Sequence, residues 1–189
     1  ITKEIGLILD APDLEHGKVN VSLSGSAIEL KNVDFSYVED KKILEGVSLS
    51  IGENQVTAFV GPSGGGKSTI TKLIAGFWNA DAGEVSIGGK NIKEIPLEQL
   101  SETISYVSQD NYLFDMSVRE NIRIGKPSAS DKEVEEIAKL SGCDEFIRGL
   151  SNGYDTVAGE GGGHLSGGEK QRISIARAML KNAPIVILD

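Results

Sequence analysis

Cys143 is the sole cysteine of this chain, so no disulfide can form within it, and that scarcity fits a reducing compartment. Basic residues are also in short supply: 19 Lys and Arg against 28 Asp and Glu give a formal net charge of -9. A face that neutralises nucleic-acid phosphates would show as a basic excess or stripe, and its absence argues against a nucleic-acid partner. Long apolar runs are missing too. The longest, such as Ile185-Val186-Ile187-Leu188, fall far short of the roughly twenty residues needed to cross a bilayer. The start, Ile1-Thr2-Lys3-Glu4-Ile5, has no Met, basic n-region or apolar h-region, and reads as a cut from a longer chain rather than a signal peptide. Internal repeats, low-complexity tracts and the Asn-Lys-x-Asp motif of guanine readers are absent. At 189 residues there is room for one sizeable core, or one core carrying a smaller subdomain.

Against these absences stands one dense motif. Gly61-Pro62-Ser63-Gly64-Gly65-Gly66-Lys67-Ser68 meets every fixed position of the phosphate-binding pattern G-x-x-x-x-G-K-[S/T]. The approach, Val56-Thr57-Ala58-Phe59-Val60, reads as a buried strand. The exit, Ser68-Thr69-Ile70-Thr71-Lys72-Leu73-Ile74-Ala75, reads as a helix that stops at Gly76. Glycines let backbone N–H groups close around phosphate oxygens, and the helix N-terminus adds its partial positive charge. In such a loop Lys67 reaches the β- and γ-phosphates and the Ser68 hydroxyl is one ligand of Mg2+.

Around this motif the pattern changes along the chain. Residues 1–26 end in Ser22-Leu23-Ser24-Gly25-Ser26, a linker-like composition, and the domain proper is expected over 27–189. Ile28 to Val33 and Val47 to Ile51 alternate apolar and polar residues, as half-exposed antiparallel strands do, and Gly83 to Gly89 adds a short strand closed by a glycine turn. From about residue 96 to 165 a helical insert is expected. Within it Ser130-Asp131-Lys132-Glu133 is a capping box, followed by Val134, Ile137 and Ala138 at helical spacing and a stop at Gly142. A further helix from about Glu169 to Lys181, a break at Pro184 and a fully buried strand ending in Asp189 complete the reading, with Cys143 as a small buried residue near a helix end. The fold class is α/β: a mainly parallel sheet with an antiparallel β subdomain and an inserted helical one.

Leu165-Ser166-Gly167-Gly168-Glu169 is a second capping box opening a helix. It also offers a hydroxyl, glycine N–H groups and a helix N-terminus, the parts of a second anion site. Two such sites so far apart in sequence make sense if the second serves a nucleotide held by another subunit.

At this point the chain resembles the ATP-binding-cassette family from about residue 28 onward. The order carries the resemblance: Tyr37 in Val33-Asp34-Phe35-Ser36-Tyr37, the phosphate loop, Gln109 in Tyr106-Val107-Ser108-Gln109, the Leu165–Glu169 signature, and Ile185-Val186-Ile187-Leu188-Asp189 as a Walker B strand. The resemblance implies a P-loop NTPase core that binds ATP and Mg2+. Tyr37 stacks on adenine; Gly61, Pro62, Ser63, Gly64, Gly65, Gly66, Lys67, Ser68 and Thr69 hold the phosphates; Ser166, Gly167 and Gly168 close on the nucleotide of a partner domain. Lys67, Gln109 and Ser166 take the catalytic roles, and Ser68, Gln109 and Asp189 the metal. The alternative local readings are that Tyr37 is an exposed strand-end tyrosine and Gln109 an ordinary polar loop residue. A buried Asp189 without a cation would be costly.

Two segments resemble the exporter branch: Ile8-Leu9-Asp10-Ala11-Pro12-Asp13, like the tail joining a membrane domain to its cassette, and Leu113 to Ile122, like the stretch that meets the coupling helices. Phe114 and Met116 there could equally be core residues. The resemblance therefore implies the ATPase domain of an exporter at the cytoplasmic face of the membrane, paired with a second ABC domain and joined to transmembrane domains. The alternatives are a soluble ABC ATPase or a regulatory nucleotide-binding module. Glu169 stands where the family usually has Gln, and Gly162 replaces a usual basic residue. The family's glutamate after the Walker B aspartate and its switch histidine are not in this chain, so its own hydrolysis is expected to be weak.

Overall fold

The computed structural model describes residues 14–38 and 41–189. The exporter-like tail Ile8–Asp13 lies outside the described residues. The chain divides into two compact units, one running to Ser101 and the other from Glu102 to Asp189. The fold is α/β.

In the first unit β1 (Ile28–Ser36), β2 (Lys42–Ile51), β3 (Ala82–Ile87) and β4 (Lys90–Asn91) form an antiparallel sheet in the order β2-β1-β3-β4. Ile28 and Leu30 point into the core, as alternation demands, but the next buried residues of β1 are Val33 and Phe35. The half-step comes from an irregularity at Asn32, which takes a left-handed backbone (φ 47) where the register with β2 shifts. Gly83 of β3 faces this bulge so closely that a Cβ on it would lie 2.3 Å from the Asn32 carbonyl oxygen, so only glycine fits.

Helix α1 (Lys67–Ile74) follows the glycine loop and buries Thr69, Thr71, Leu73 and Ile74. It ends at Gly76 (φ 73), whose neighbour Phe77 donates its N–H back to the Lys72 carbonyl at 3.0 Å. Val56 to Val60 is not a strand: no described strand pairs with it, and Val56 and Val60 are fully exposed. A parallel strand gains its hydrogen bonds only from distant segments, so an apolar run alone does not make one. The stretch read as a linker is tied down where it is described. Val21 donates its N–H to the Gln99 side chain and accepts from it, and the Ser24 N–H and hydroxyl both donate to the Gly88 carbonyl.

Helix α2 (Leu97–Thr103) leads to β5 (Ile104–Val107), a strand inside the stretch expected to be helical. It pairs in parallel with β6 (Ile185–Leu188), matching Ile104 with Ile185 and Val107 with Leu188. These two strands are the whole parallel component among the described residues. Strand β6 is not fully buried as expected: Ile185 and Ile187 are covered while Val186 and Leu188 are exposed, because a pair of strands is covered on one face only.

Between the two strands run α3 (Val118–Arg123), α4 (Asp131–Leu140) and α5 (Asp144–Gly149), and α6 (Gly167–Lys181) precedes β6. Helices α4 and α6 both open on complete capping boxes, Ser130 with Glu133 and Ser166 with Glu169. Leu113, Val118, Ile122, Val134, Ile147 and Ile173 are the centre of this unit's core, and Cys143 is buried among them. Helix α6 packs against β5 and is anchored there by Lys181, whose ammonium donates to the Ile104 carbonyl at 2.8 Å.

Candidate nucleotide-binding site

The glycine loop turns on itself through a bond from the Gly65 N–H to the Pro62 carbonyl. Gly66 takes a left-handed conformation (φ 79, ψ 4) as the residue capping α1, and a Cβ there would strike the Leu44 side chain at 2.6 Å. The space beside Gly61 and Gly64 is open. Among the described residues no side chain caps α1, and its first turn holds no acidic residue, so neither a cap nor a first-turn carboxylate neutralises the positive end of this helix. A helix start built this way suits an anion.

Lys67 folds back over the loop and donates to the carbonyl oxygens of Gly61 (3.0 Å) and Pro62 (2.7 Å). Its ammonium therefore sits on the loop itself and can exchange these carbonyls for phosphate oxygens, which charge assistance favours. The Ser68 hydroxyl is exposed in the same turn.

Tyr37 stands just beyond the end of β1, and its hydroxyl lies 3.3 Å from the hydroxyl of Thr69. Its ring packs edge-on against Phe35 (4.8 Å) and Trp78 (5.5 Å). The structure thus brings Tyr37, Thr69, Lys67 and Ser68 together around α1. Composition gave no warning of Trp78. The signal available was the aromatic pair Phe77-Trp78 just past the helix stop at Gly76.

In the second unit Gln109 follows β5 in an exposed loop. Gln109, Tyr112, Gly161, Gly167 and Lys170 line one open cleft of about 330 Å3, so the loop residue and the start of α6 share a surface. Ser166 is engaged with its own helix: its hydroxyl donates to the Glu169 carboxylate at 2.7 Å, the Ser166 N–H donates to the same oxygen at 2.7 Å, and the Glu169 N–H returns a bond at 3.4 Å. The Ser166 backbone N–H and then its hydroxyl hold the Glu169 carboxyl below the usual carboxylate range. The two glycine-flanked helix starts differ in this respect: α1 is open, and α6 is closed by its own acid.

Asp189 is exposed, not buried as expected: it lies past the last residue of β6, beyond the covered Ile185 and Ile187, and its carboxylate accepts from the Tyr106 hydroxyl at 2.8 Å. No group of three or more His, Cys, Asp or Glu side chains converges among the described residues. Ser68 in the first unit, and Gln109 and Asp189 in the second, each offer a hard oxygen donor of the type that Mg2+ takes with water and phosphate.

The sequence pattern of the ABC transporter family matches residues 44–189. The chain belongs to the ABC transporter family. This ABC domain is 45% identical over 185 residues to an ATP-dependent lipid A-core flippase of Syntrophus aciditrophicus, covering 98% of this chain and 30% of that protein. It is 45% identical over 174 residues to a Staphylococcus aureus ATP-binding/permease protein ascribed to multidrug export, covering 92% of this chain and 30% of that one. Its structure aligns over its whole length with a bacterial Atm1-family ABC exporter with ATP bound, at a TM-score of 0.91 and 37% identity, spanning 33% of that chain. The ABC domain thus spans about a third of the length of the relatives it matches.

Proposed function

We propose that this ABC domain is the ATP-binding and ATP-hydrolysing part of an exporter, coupling ATP-driven pairing with a second ABC domain to substrate movement across a membrane. The open, uncapped start of α1 carries this reading, together with the identity to flippase and export proteins over nearly the whole chain. The glycine-loop amides hold the β- and γ-phosphates, Tyr37 stacks on adenine, and Lys67 moves from the Gly61 and Pro62 carbonyls onto phosphate oxygens. Ser68, with Gln109 and Asp189, would hold Mg2+, which would supply positive charge against the phosphates. Hydrolysis is attack of water on the γ-phosphorus, with the bond to the bridging oxygen breaking and ADP leaving; Lys67 stabilises the charge that develops. Ser166 to Gly168 of the second ABC domain would close over the same nucleotide, and the transmembrane domains would place this one at the cytoplasmic face. Among the described residues no helix is long and apolar enough to cross a membrane.

Calorimetric titration of ATP in Mg2+ against the wild-type chain and Lys67→Ala tests the binding site, with a loss of at least about tenfold expected from removing a charge-assisted phosphate contact. Equal affinity for the two would refute the assignment. Reading the coding frame upstream of Ile1 tests the exporter: about six apolar helices of spanning length are expected there.

A further inference from the structure

Tyr37 has an unusual support for a residue expected to bind a flat ring. It lies past the last residue of β1, where the ladder to β2 no longer fixes the backbone, and it is 42% exposed. A tyrosine so placed would sample several rotamers, and ordering it on binding would cost affinity. Three contacts prevent this. Phe35, the neighbour on the strand, meets the ring edge-on with planes at 89°; Trp78 does the same from another side at 86°; and the hydroxyl meets Thr69. Phe35 and Trp78 also touch each other at a centroid separation of 6.1 Å, so the three rings close into one cluster. Edge-to-face contacts are the favoured geometry for such rings and hold orientation as well as area.

The source of these contacts matters. Thr69 is in the first turn of α1 and Trp78 lies four residues beyond its last residue, Ile74. The first turn of the helix that starts at the phosphate loop and the segment just past its end therefore both contact the same tyrosine. Trp78 is 44% exposed and is the chain's one tryptophan, so it is spent on a surface position rather than in the core.

We propose, resting on the assignment of this site to a nucleotide, that Trp78 is a positioning residue for base recognition. It fixes the Tyr37 ring against α1 so that a purine stacks on an already ordered surface, in register with phosphates held at the start of the same helix. Trp78 acts through Tyr37 and contributes nothing to the phosphate contacts.

The test compares two probes, ATP and inorganic tripolyphosphate, which engages the loop without a base. Wild type, Trp78→Leu, Trp78→Phe, Tyr37→Leu, the double Leu variant and Lys67→Ala are titrated with each. Trp78→Leu should bind ATP about 2–10-fold more weakly, the range set by ordering one freed side chain, with tripolyphosphate binding unchanged. Trp78→Phe keeps an aromatic edge and should recover most of the loss. The double variant should bind ATP no more weakly than Tyr37→Leu, because Trp78 has no route to the base except that ring. In the wild type, emission from Trp78 should respond to ATP and not to tripolyphosphate. Equal loss for both probes would show that Trp78 only supports α1 and would overturn the proposal, as would undiminished ATP binding by Trp78→Leu, additive losses in the double variant, or an emission change with tripolyphosphate. Lys67→Ala separates the two levels: it should weaken both probes, and if it weakens neither, the nucleotide assignment fails together with the proposal built on it.

Discussion

Single residues at the two helix starts decide how each can meet an anion. The Glu169 carboxylate already accepts both the N–H and the hydroxyl of Ser166. For Ser166 to donate to a phosphate, that carboxylate must release it. A neutral amide accepts the hydroxyl more weakly than a carboxylate does and puts no negative charge beside an incoming phosphate. Glu169→Gln is therefore expected to keep α6 folded and to raise the ATP-dependent association and turnover of the domain severalfold; sedimentation and phosphate release with and without ATP measure the two effects. A fall in both would show that the charge of Glu169 is needed.

At the scale of elements, α3 and α6 are joined by a fully buried asparagine. The Asn121 amide donates to the carbonyls of Phe114, Met116 and Ser117, and its oxygen accepts from the Phe114 N–H and the Arg177 guanidinium. Arg177 in turn donates to the Asn121 and Tyr112 carbonyls. This network holds the loop that carries the exposed, edge-packed rings of Tyr112 and Phe114, so Phe114 is a surface residue, whereas its neighbour Leu113 is core. Asn121→Ala leaves the Phe114 N–H without its acceptor and removes one of the three partners of Arg177, while the Phe114, Met116 and Ser117 carbonyls keep their backbone donors; it is expected to cost roughly 1–3 kcal/mol. Urea unfolding checks this, and a change under about 1 kcal/mol would mean that water replaces the amide.

Helix α4 gives a pH test of its own. The Lys126 ammonium, then the Ser130 N–H and hydroxyl, hold the Glu133 carboxyl down at about 2 from an ordinary 4.5. A carboxylate depressed in the folded state stabilises above its unfolded value and loses that contribution as pH falls through its folded value. The wild type should therefore melt above Glu133→Gln at neutral pH, and the gap should shrink between pH 4.5 and about 2. A gap that is constant over this range would place the stabilisation in the amide-compatible bonds alone.

At the scale of the molecule, one face of β6 in the second unit presents apolar side chains to solvent. Val186 and Leu188 are 55% and 66% exposed on a two-stranded sheet. Exposed apolar strand faces promote association. The double change Val186→Thr and Leu188→Thr keeps β propensity while removing apolar surface. It is expected to lower nucleotide-independent self-association in sedimentation velocity runs at fixed concentration; an unchanged distribution would show that this face makes no contact. The control is ATP-dependent pairing, which the proposed function routes through Lys67 and Ser166 rather than through this face.

What the sequence determined by itself is what a short segment can encode with its own atoms. The phosphate loop, both capping boxes, the stop of α1 at Gly76 and the β3–β4 glycine turn are each written in a few consecutive residues, because the groups that bond there are neighbours in the chain. The family order of motifs is legible for the same reason. Tertiary structure alone decided the rest. Strand β5 hides in a stretch of helical character because its hydrogen bonds come from Ile185–Leu188, some eighty residues away, whereas Val56–Val60, with the better strand composition, pairs with no described strand. The same holds for side chains: nothing in the local sequence says that Tyr106 donates to Asp189, that Asn121 and Arg177 share a network, or that Trp78 braces Tyr37. Each of those contacts depends on where distant segments come to rest, and a linear pattern carries no record of that.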